Sequence, residues 1–336
     1  MRGTWLGPGA FRLVLAMAVV LEHLSRLEIG KPAVMIFFML SGYWVFRMYD
    51  EKYVRLNEPL KVFYVSRFLR LWPSYATAIL LSFIILWAAF GEYDEQKWLG
   101  LPMLGVATHG KDMLGISWSL DIELQFYVLL PAVWLALKHT RNPLVVFVTV
   151  GALSLAGWVL NLGTGIETVA AYAPLFVAGA VICSWEMRAG PRLAAASVAA
   201  FMLLGAAAYS APEFRPFVLG GSGNAEHDKM FALCWAILLA PFVAWNVRQA
   251  SGSLDRHAGN LSYSVYLIHY PLIVILREAL GGDLSDAQKL AFLVLIVPVS
   301  VAFYLIFDLS FERMRRRLLR TMDSSGERQV VTSGGS

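Results

Sequence analysis

The chain has 336 residues, 58% of them hydrophobic and 15% charged, with a formal net charge of +4 and a mean hydropathy of +0.59. So little charge excludes a soluble globular domain of this size and points to a polytopic membrane protein. The positive excess does not indicate nucleic acid, because it lies mostly in short loops between apolar runs, where it anchors topology against anionic lipid.

Apolar runs of spanning length, roughly 17–25 residues each, recur from end to end. Ten transmembrane helices are predicted, at about 9–27, 33–48, 72–90, 117–138, 143–162, 167–187, 192–211, 229–247, 261–280 and 288–308. The first is expected to be retained rather than cleaved as a signal peptide, since charges interrupt it and no small-residue cleavage site follows. The longest loops, 91–116 and 212–228, are too short to fold alone. An all-α membrane domain over 1–310 is therefore expected, followed by a polar, basic, partly disordered tail at 311–336. With a cytoplasmic N-terminus, nineteen of the 28 Lys and Arg fall inside and eight outside, Arg12 lying within the first helix. That bias predicts both termini in the cytoplasm. Cys183 and Cys234 fall inside predicted helices and read as small apolar residues. No HExxH, CxxC or phosphate-cradling glycine loop is present, so no metal is expected.

Ionisable residues within spans are costly and mark candidate sites. In "FRLVLAMAVVLEHL" (residues 11–24), Arg12 and His23 are eleven apart. Three helical turns plus about 20° put them on one face, about 16 Å apart along the axis. Arg12 then lies at cytoplasmic depth and His23 in the outer leaflet, while Glu22 projects about 80° away and has no assigned role. Either residue alone reads as a snorkelling arginine or a packed histidine; two on one stripe, with companions elsewhere, point to function. In "FFMLSGYW", Ser41 and Gly42 read as close helix packing. "KVFYVSRFLRLWPSY" puts Arg67 and Arg70 one turn apart at the inner mouth, where they suit bidentate phosphate binding or simple positive-inside anchoring. "SWSLDIELQFYVLLP" runs from outside to inside, bringing Trp118 and Glu123 into His23's leaflet. Glu123 is a candidate to polarise an imidazole, and Trp118 reads equally as an interfacial anchor. "YSVYLIHYPL" carries His269 near mid-membrane, either a packed residue at the Pro271 kink or a catalytic one. "FDLSFERMRRR" brings Glu312 to the cytoplasmic edge, within reach of the arginines there. His109, His139, His227 and His257 are placed in loops with no role.

Taken in order, the Arg12-x10-His23 helix, "FFMLSGY", "SRFLRLWPSY", "WSLDIELQFY", "YSVYLIHYPL" and the terminal "FER" resemble the acyltransferase-3 family of integral membrane acyltransferases. The resemblance covers nearly the whole chain. It implies a ten-helix enzyme of the bacterial inner membrane that moves acetyl or another short acyl group from cytoplasmic acyl-CoA to an extracytoplasmic carbohydrate. By the same resemblance, Arg12 and His23 are essential, and the family's arginines, tryptophan and terminal glutamate fall on Arg67, Arg70, Trp118 and Glu312. Met314 stands where the family's last motif usually has proline. The chain reads as a stand-alone form without the esterase-like domain of fused members. Arg12, Arg67, Arg70 and Glu312 are thus expected at the donor, acetyl-CoA, and His23, Glu123 and Trp118 at the chemistry. His23 acts in this scheme as general base or as an acyl carrier. The rival class is a glycan or lipid transporter, which intramembrane ionisable groups also suit.

Overall fold

The computed structural model describes residues 6–91, 100–109 and 114–333, without the side chains of 108–109 and 323–333. Arg2, Lys97, Lys111 and the side chain of Arg328, which entered the charge count, lie outside the described residues, as does the end of the tail. All regular structure among the described residues is helical. In chain order the helices are α1 (Pro8–Leu24), α2 (Gly30–Glu51), α3 (Pro59–Phe90), the short α4 (Val106–His109), α5 (Ser117–His139), α6 (Pro143–Thr164), α7 (Ala173–Ser184) and α8 (Pro191–Ser210). The short α9 (Pro216–Leu219), α10 (Ala225–Ile237), α11 (Ala240–Asn246), α12 (Ser253–Leu280), α13 (Asp286–Phe303) and α14 (Leu309–Ser333) follow, a π-helical turn at Tyr304–Asp308 joining the last two.

Among the described residues, seven segments are long and apolar enough to cross a membrane, and α10 with α11, bent by 53°, makes an eighth if the pair is one span. The protein is therefore multi-pass. Two of the ten expected spans fall short by length: α1 has 17 residues and α7 has 12. The residues set apart as a tail form α14 through Ser333.

Local sequence explains where the helices begin and end. Proline opens α6 at its first position, and Asn142 accepts from Leu144 N at 3.0 Å and Val145 N at 3.4 Å, filling amides that a helix leaves unpaired. Ser285 and Gln288 form a reciprocal capping box on α13. Gly91, Gly165 and Gly281 close α3, α6 and α12 in the left-handed conformation.

Two further caps come from distant residues. Asp255 accepts from Gly9 N at 3.0 Å and Ala10 N at 2.8 Å at the start of α1. Glu22 accepts from Gly30 N at 2.5 Å and Lys31 N at 2.9 Å at the start of α2. A carboxylate at a helix N-terminus meets both free N–H groups and the positive end of the dipole. Glu22, without a role on sequence grounds, fixes the hairpin between the first two helices.

The inner layer is α1, α2, α7 and α12. α1 and α12 run parallel and in step: Asp255 meets Gly9 and Ala10, Gly259 meets Gly9, and His269 meets His23. A Cβ on Gly9 would stand 1.7 Å from the Asp255 carbonyl oxygen, so only glycine permits this approach. α2 and α7 cross as closely, Gly42 against the Phe176 backbone and Gly179 against that of Met39. Phe38 pairs with Tyr172 and Phe176, and Cys183 lies near Arg47, so this pair is parallel too. The expected packing role of Gly42 is observed. Outside the core, α6, α8 and α13 present large apolar residues such as Phe147, Leu203 and Val294 to the exterior, a surface suited to lipid rather than water.

Candidate active site

A cavity of about 240 Å³ lies between α1, α2, α3, α5 and α12. Arg12, Arg67 and Arg70 line it together with Ser41, Glu123 and Tyr127. Helix geometry brings the arginines there: Arg67 and Arg70 share a face of α3, and α1, held by Asp255, turns Arg12 toward them.

The charges are unbalanced. Arg12 has Arg70, Glu123 and Tyr127 as electrostatic neighbours, yet no described residue gives its guanidinium a hydrogen bond or ion pair. Arg70 lies over the Tyr263 ring at 5.3 Å. Arg67 is 6% exposed, lies over Tyr127 at 5.8 Å, and its buried Nε has no partner among the described residues. Glu123 is the one carboxylate among the described lining residues. Its Oε1 is already occupied, accepting from Ser41 Oγ at 2.5 Å and Tyr127 OH at 2.6 Å. Ser41, expected only to permit packing, thus holds the acid. Three guanidiniums without an ion pair among the described residues, against one loaded carboxylate in a low-dielectric pocket, favour an anionic ligand.

A second cavity, of about 290 Å³, shares Arg70, Asn260 and Arg315 with the first and continues past Arg256, His257 and Glu312. Glu312 does not pair with Arg67 or Arg70. It accepts from Arg315 Nε at 2.8 Å and Nη2 at 2.7 Å, and from Arg316 Nε at 2.8 Å, because residues three and four apart on α14 are its neighbours. Arg315 also donates to Ser66 Oγ at 2.7 Å, so Glu312 steadies a fourth arginine at the junction of the two cavities.

Sequence reading missed three residues here. His257 lies in α12, not a loop, with Nδ1 3.0 Å from Tyr304 OH. Asp308, 3% exposed, accepts from the hydroxyls of Ser74 and Ser264 at the end of the π-turn, a feature frequent at functional sites. The acid inside "FDLSFER" was the available signal for Asp308. Arg315 was hidden among four arginines of similar appearance.

His23 lies at the other end of α1, not in the arginine cavity. Its ring packs against His269 (centroids 5.2 Å apart) and edge-on against Tyr270 (4.9 Å), and it lines an open cleft with Arg26, Arg277 and Asp283. Tyr266 lines the arginine cavity, its ring 5.9 Å from that of His269 and its hydroxyl 2.6 Å from Ser119 Oγ. Glu123 sits with Arg12 rather than His23, since it is five residues, about 7.5 Å, further along α5 than Trp118. Trp118 is separate again, packed on Phe38 and Tyr172 with Lys229 Nζ 4.9 Å over its ring. The geometry therefore joins Arg12, Arg67, Arg70 and Glu123, adds Glu312 through Arg315, and leaves His23 and Trp118 apart from them.

The basic cavity lies at one end of α1 and His23 at the other. The family model of an acyltransferase domain, acyltransferase-3, matches residues 5–308, and the chain belongs to that family. Among curated proteins it is similar to the peptidoglycan O-acetyltransferase OatA of Listeria monocytogenes serovar 1/2a, 24% identical over 345 residues, covering 89% of this chain and 53% of that protein. The chain spans about half the length of this relative. No solved structure matches.

Proposed function

We propose that the protein transfers an acyl group, acetyl in the first instance, from cytoplasmic acyl-CoA to a hydroxyl of an extracytoplasmic carbohydrate. The observation that carries this reading is the cavity lined by Arg12, Arg67 and Arg70, whose positive charge the described protein groups leave unbalanced. The phosphates of CoA supply the missing anions, and the second cavity, entered past Arg70 and Arg315, gives its nucleotide a basic mouth. Its thioester then lies toward the outer end of α1, past Tyr266. A neutral His23 imidazole takes the proton of the acceptor hydroxyl as its oxygen attacks the thioester carbonyl, and the thiolate of CoA leaves. The two-step route, with the acyl group carried on His23, uses the same placement. Arg26, Arg277, Asp283 and Lys289 around the cleft offer the hydrogen-bonding groups a sugar requires.

Helix directions support ten spans with both termini on one side. α2 and α7 are parallel, and α3, α5 and α6 between them make three crossings. α12 is parallel to α1, and α8 with the bent α10–α11 pair gives the two crossings that separate it from α7. Counting α1 and α7 as spans satisfies both relations, and an even total returns the C-terminus to the side of the N-terminus. The arginine excess supports reading that side as the cytoplasm, and a bacterial inner membrane is the setting that this proposal takes. The name of the relative favours a cell-surface glycan as acceptor.

Purified protein in liposomes, given acetyl-CoA labelled in the acetyl group and a polysaccharide acceptor, should form a labelled ester. His23→Ala should abolish that product while leaving CoA binding intact. Normal ester formation by His23→Ala, or label that crosses the membrane without a new ester, would refute the proposal.

A further inference from the structure

His269 has no part in the scheme above, although it is completely buried and its ring packs against that of His23. Its Nδ1 lies 2.8 Å from the Tyr266 carbonyl oxygen and 3.2 Å from that of Val265. Carbonyl oxygens only accept, so Nδ1 carries the hydrogen and Nε2 is left as a bare lone pair. That Nε2 is buried and has no hydrogen-bond partner among the described residues. A buried acceptor held in one tautomer by its own helix, with nothing donating to it, is an unusual arrangement in a packed interior.

The group able to donate is His23. Its ring makes no hydrogen bond to a described residue, and its centroid is 5.2 Å from that of His269, with 39° between the ring planes. Two imidazoles joined by an N–H···N bond of about 3 Å have centroids about 5 Å apart. The rings are not bonded in this conformation, but their separation is already that of the bonded pair, and only a change in ring orientation is needed. The register is fixed from below. Asp255 ties α12 to the first amides of α1, and Gly9 and Gly259 bring the backbones together, so two helices running in parallel hold the histidines level. The other groups around His23 do not substitute: Lys31 and Arg277 are its charged neighbours, Glu22 is committed to the amides of Gly30 and Lys31, and Tyr270 meets it edge-on.

We propose that His269 is the positioning residue of the reacting histidine: its Nε2 accepts the ring N–H of His23 and thereby fixes which His23 nitrogen is bare and faces the acceptor hydroxyl. The inference rests on the reading of His23 as the base. The proton removed from the acceptor stays on His23, and His269 remains neutral throughout, stabilising the imidazolium as a hydrogen-bond acceptor. The arrangement is analogous in its logic to a metal-bound or catalytic imidazole whose second nitrogen is held by an outer partner.

The test compares His269→Phe, which keeps the ring volume but loses the acceptor, with His269→Gln, which retains one. His269→Phe should lower kcat roughly 10- to 100-fold while KM for acetyl-CoA and for the glycan changes less than about twofold. His269→Gln should recover at least tenfold of that loss. In protein labelled with ¹⁵N-histidine, the wild type should show the Nδ1–H tautomer of His269 and a single tautomer of His23, and His269→Phe should restore a mixture at His23. A kcat for His269→Phe within threefold of wild type, a Gln variant no better than Phe, or a wild-type His269 protonated at Nε2 would overturn the proposal. The last observation needs no variant, and so stands even if His269→Phe does not fold. His23→Ala separates the two ideas: if it transfers normally the His23 reading fails, whereas an inactive His23→Ala beside an unimpaired His269→Phe removes only the role of His269.

Discussion

Replacing Arg12 with methionine should make the empty protein more stable and the donor complex weaker, two effects that ordinary core mutations do not combine. Methionine keeps much of the length and apolar volume of the arginine stem and deletes the charge. In the ligand-free protein no hydrogen bond or ion pair is lost with that charge, because no described residue bonds to the guanidinium. Its electrostatic neighbours include Arg70, a like charge, and a Glu123 already satisfied by Ser41 and Tyr127. Relief of that repulsion is worth on the order of 1 kcal/mol, or a rise in Tm of about 2 °C. In the complex, a charge-assisted bond from Arg12 to a phosphate is lost. At roughly 1.5–3 kcal/mol its absence weakens CoA binding about 10- to 150-fold. Thermal unfolding of the detergent-solubilised protein with and without CoA, together with calorimetric titration, reads both numbers. An unchanged Kd would remove the donor from this cavity. A fall in Tm without ligand would mean that Arg12 is a structural cation with a partner, and the charge argument would collapse.

Glu22→Ala should cost about 1 kcal/mol of stability through loss of the α2 cap and leave kcat per folded molecule unchanged, as thermal unfolding and turnover measured on the same sample would show. Gly42→Val should prevent the α2–α7 crossing, since a Cβ there stands 2.0 Å from the Phe176 carbonyl oxygen; the readout is loss of monodisperse protein on size-exclusion chromatography. Glu123→Ala should be more damaging than Glu123→Gln by about 1–3 kcal/mol, because it strands the Ser41 and Tyr127 hydroxyls while the amide still accepts; comparative thermal unfolding decides. Reporter fusions at the two ends of the chain should give the same, cytoplasmic, signal, and opposite signals would break the ten-span assignment.

How much of this was legible in the sequence depended on how local the cause was. Spans such as α6 and α8 followed from hydropathy alone, because a segment facing lipid must be apolar along its length. α7 was harder: its helix has twelve residues where a full span was expected, and Gly179 lets it lie against the α2 backbone, a relation that neither segment states by itself. Arg12 and His23 could be placed on one stripe by counting, since both lie on one uninterrupted helix. Glu123 could not be assigned correctly by the same method. Its neighbours are set by where α5 crosses α2, and that crossing put it against Ser41 rather than the imidazole. Glu312 went astray for the opposite reason, a partner three residues away having been passed over for more distant ones.

In the proposed scheme the two ends of α1 serve donor and acceptor, and the helix between them has a physical reason to carry both. A donor held by its phosphates and an acceptor held by its hydroxyls need different solvents and different faces of the membrane, so their sites must be separated by a fixed length. A loop would let that length vary, whereas eleven helical residues set it at about 16 Å. The helix is held at both ends by carboxylates that take no part in the chemistry: Asp255 at its start and Glu22, through the α2 cap, at its close. Losing the Asp255 clamp, which holds the first amides of α1 itself, should therefore disturb the coupling of donor and acceptor before it disturbs the binding of either one. For Asp255→Ala, the expected signature is a reduced kcat with both KM values close to wild type, and a raised KM for acetyl-CoA alone would show that Asp255 serves the donor cavity instead.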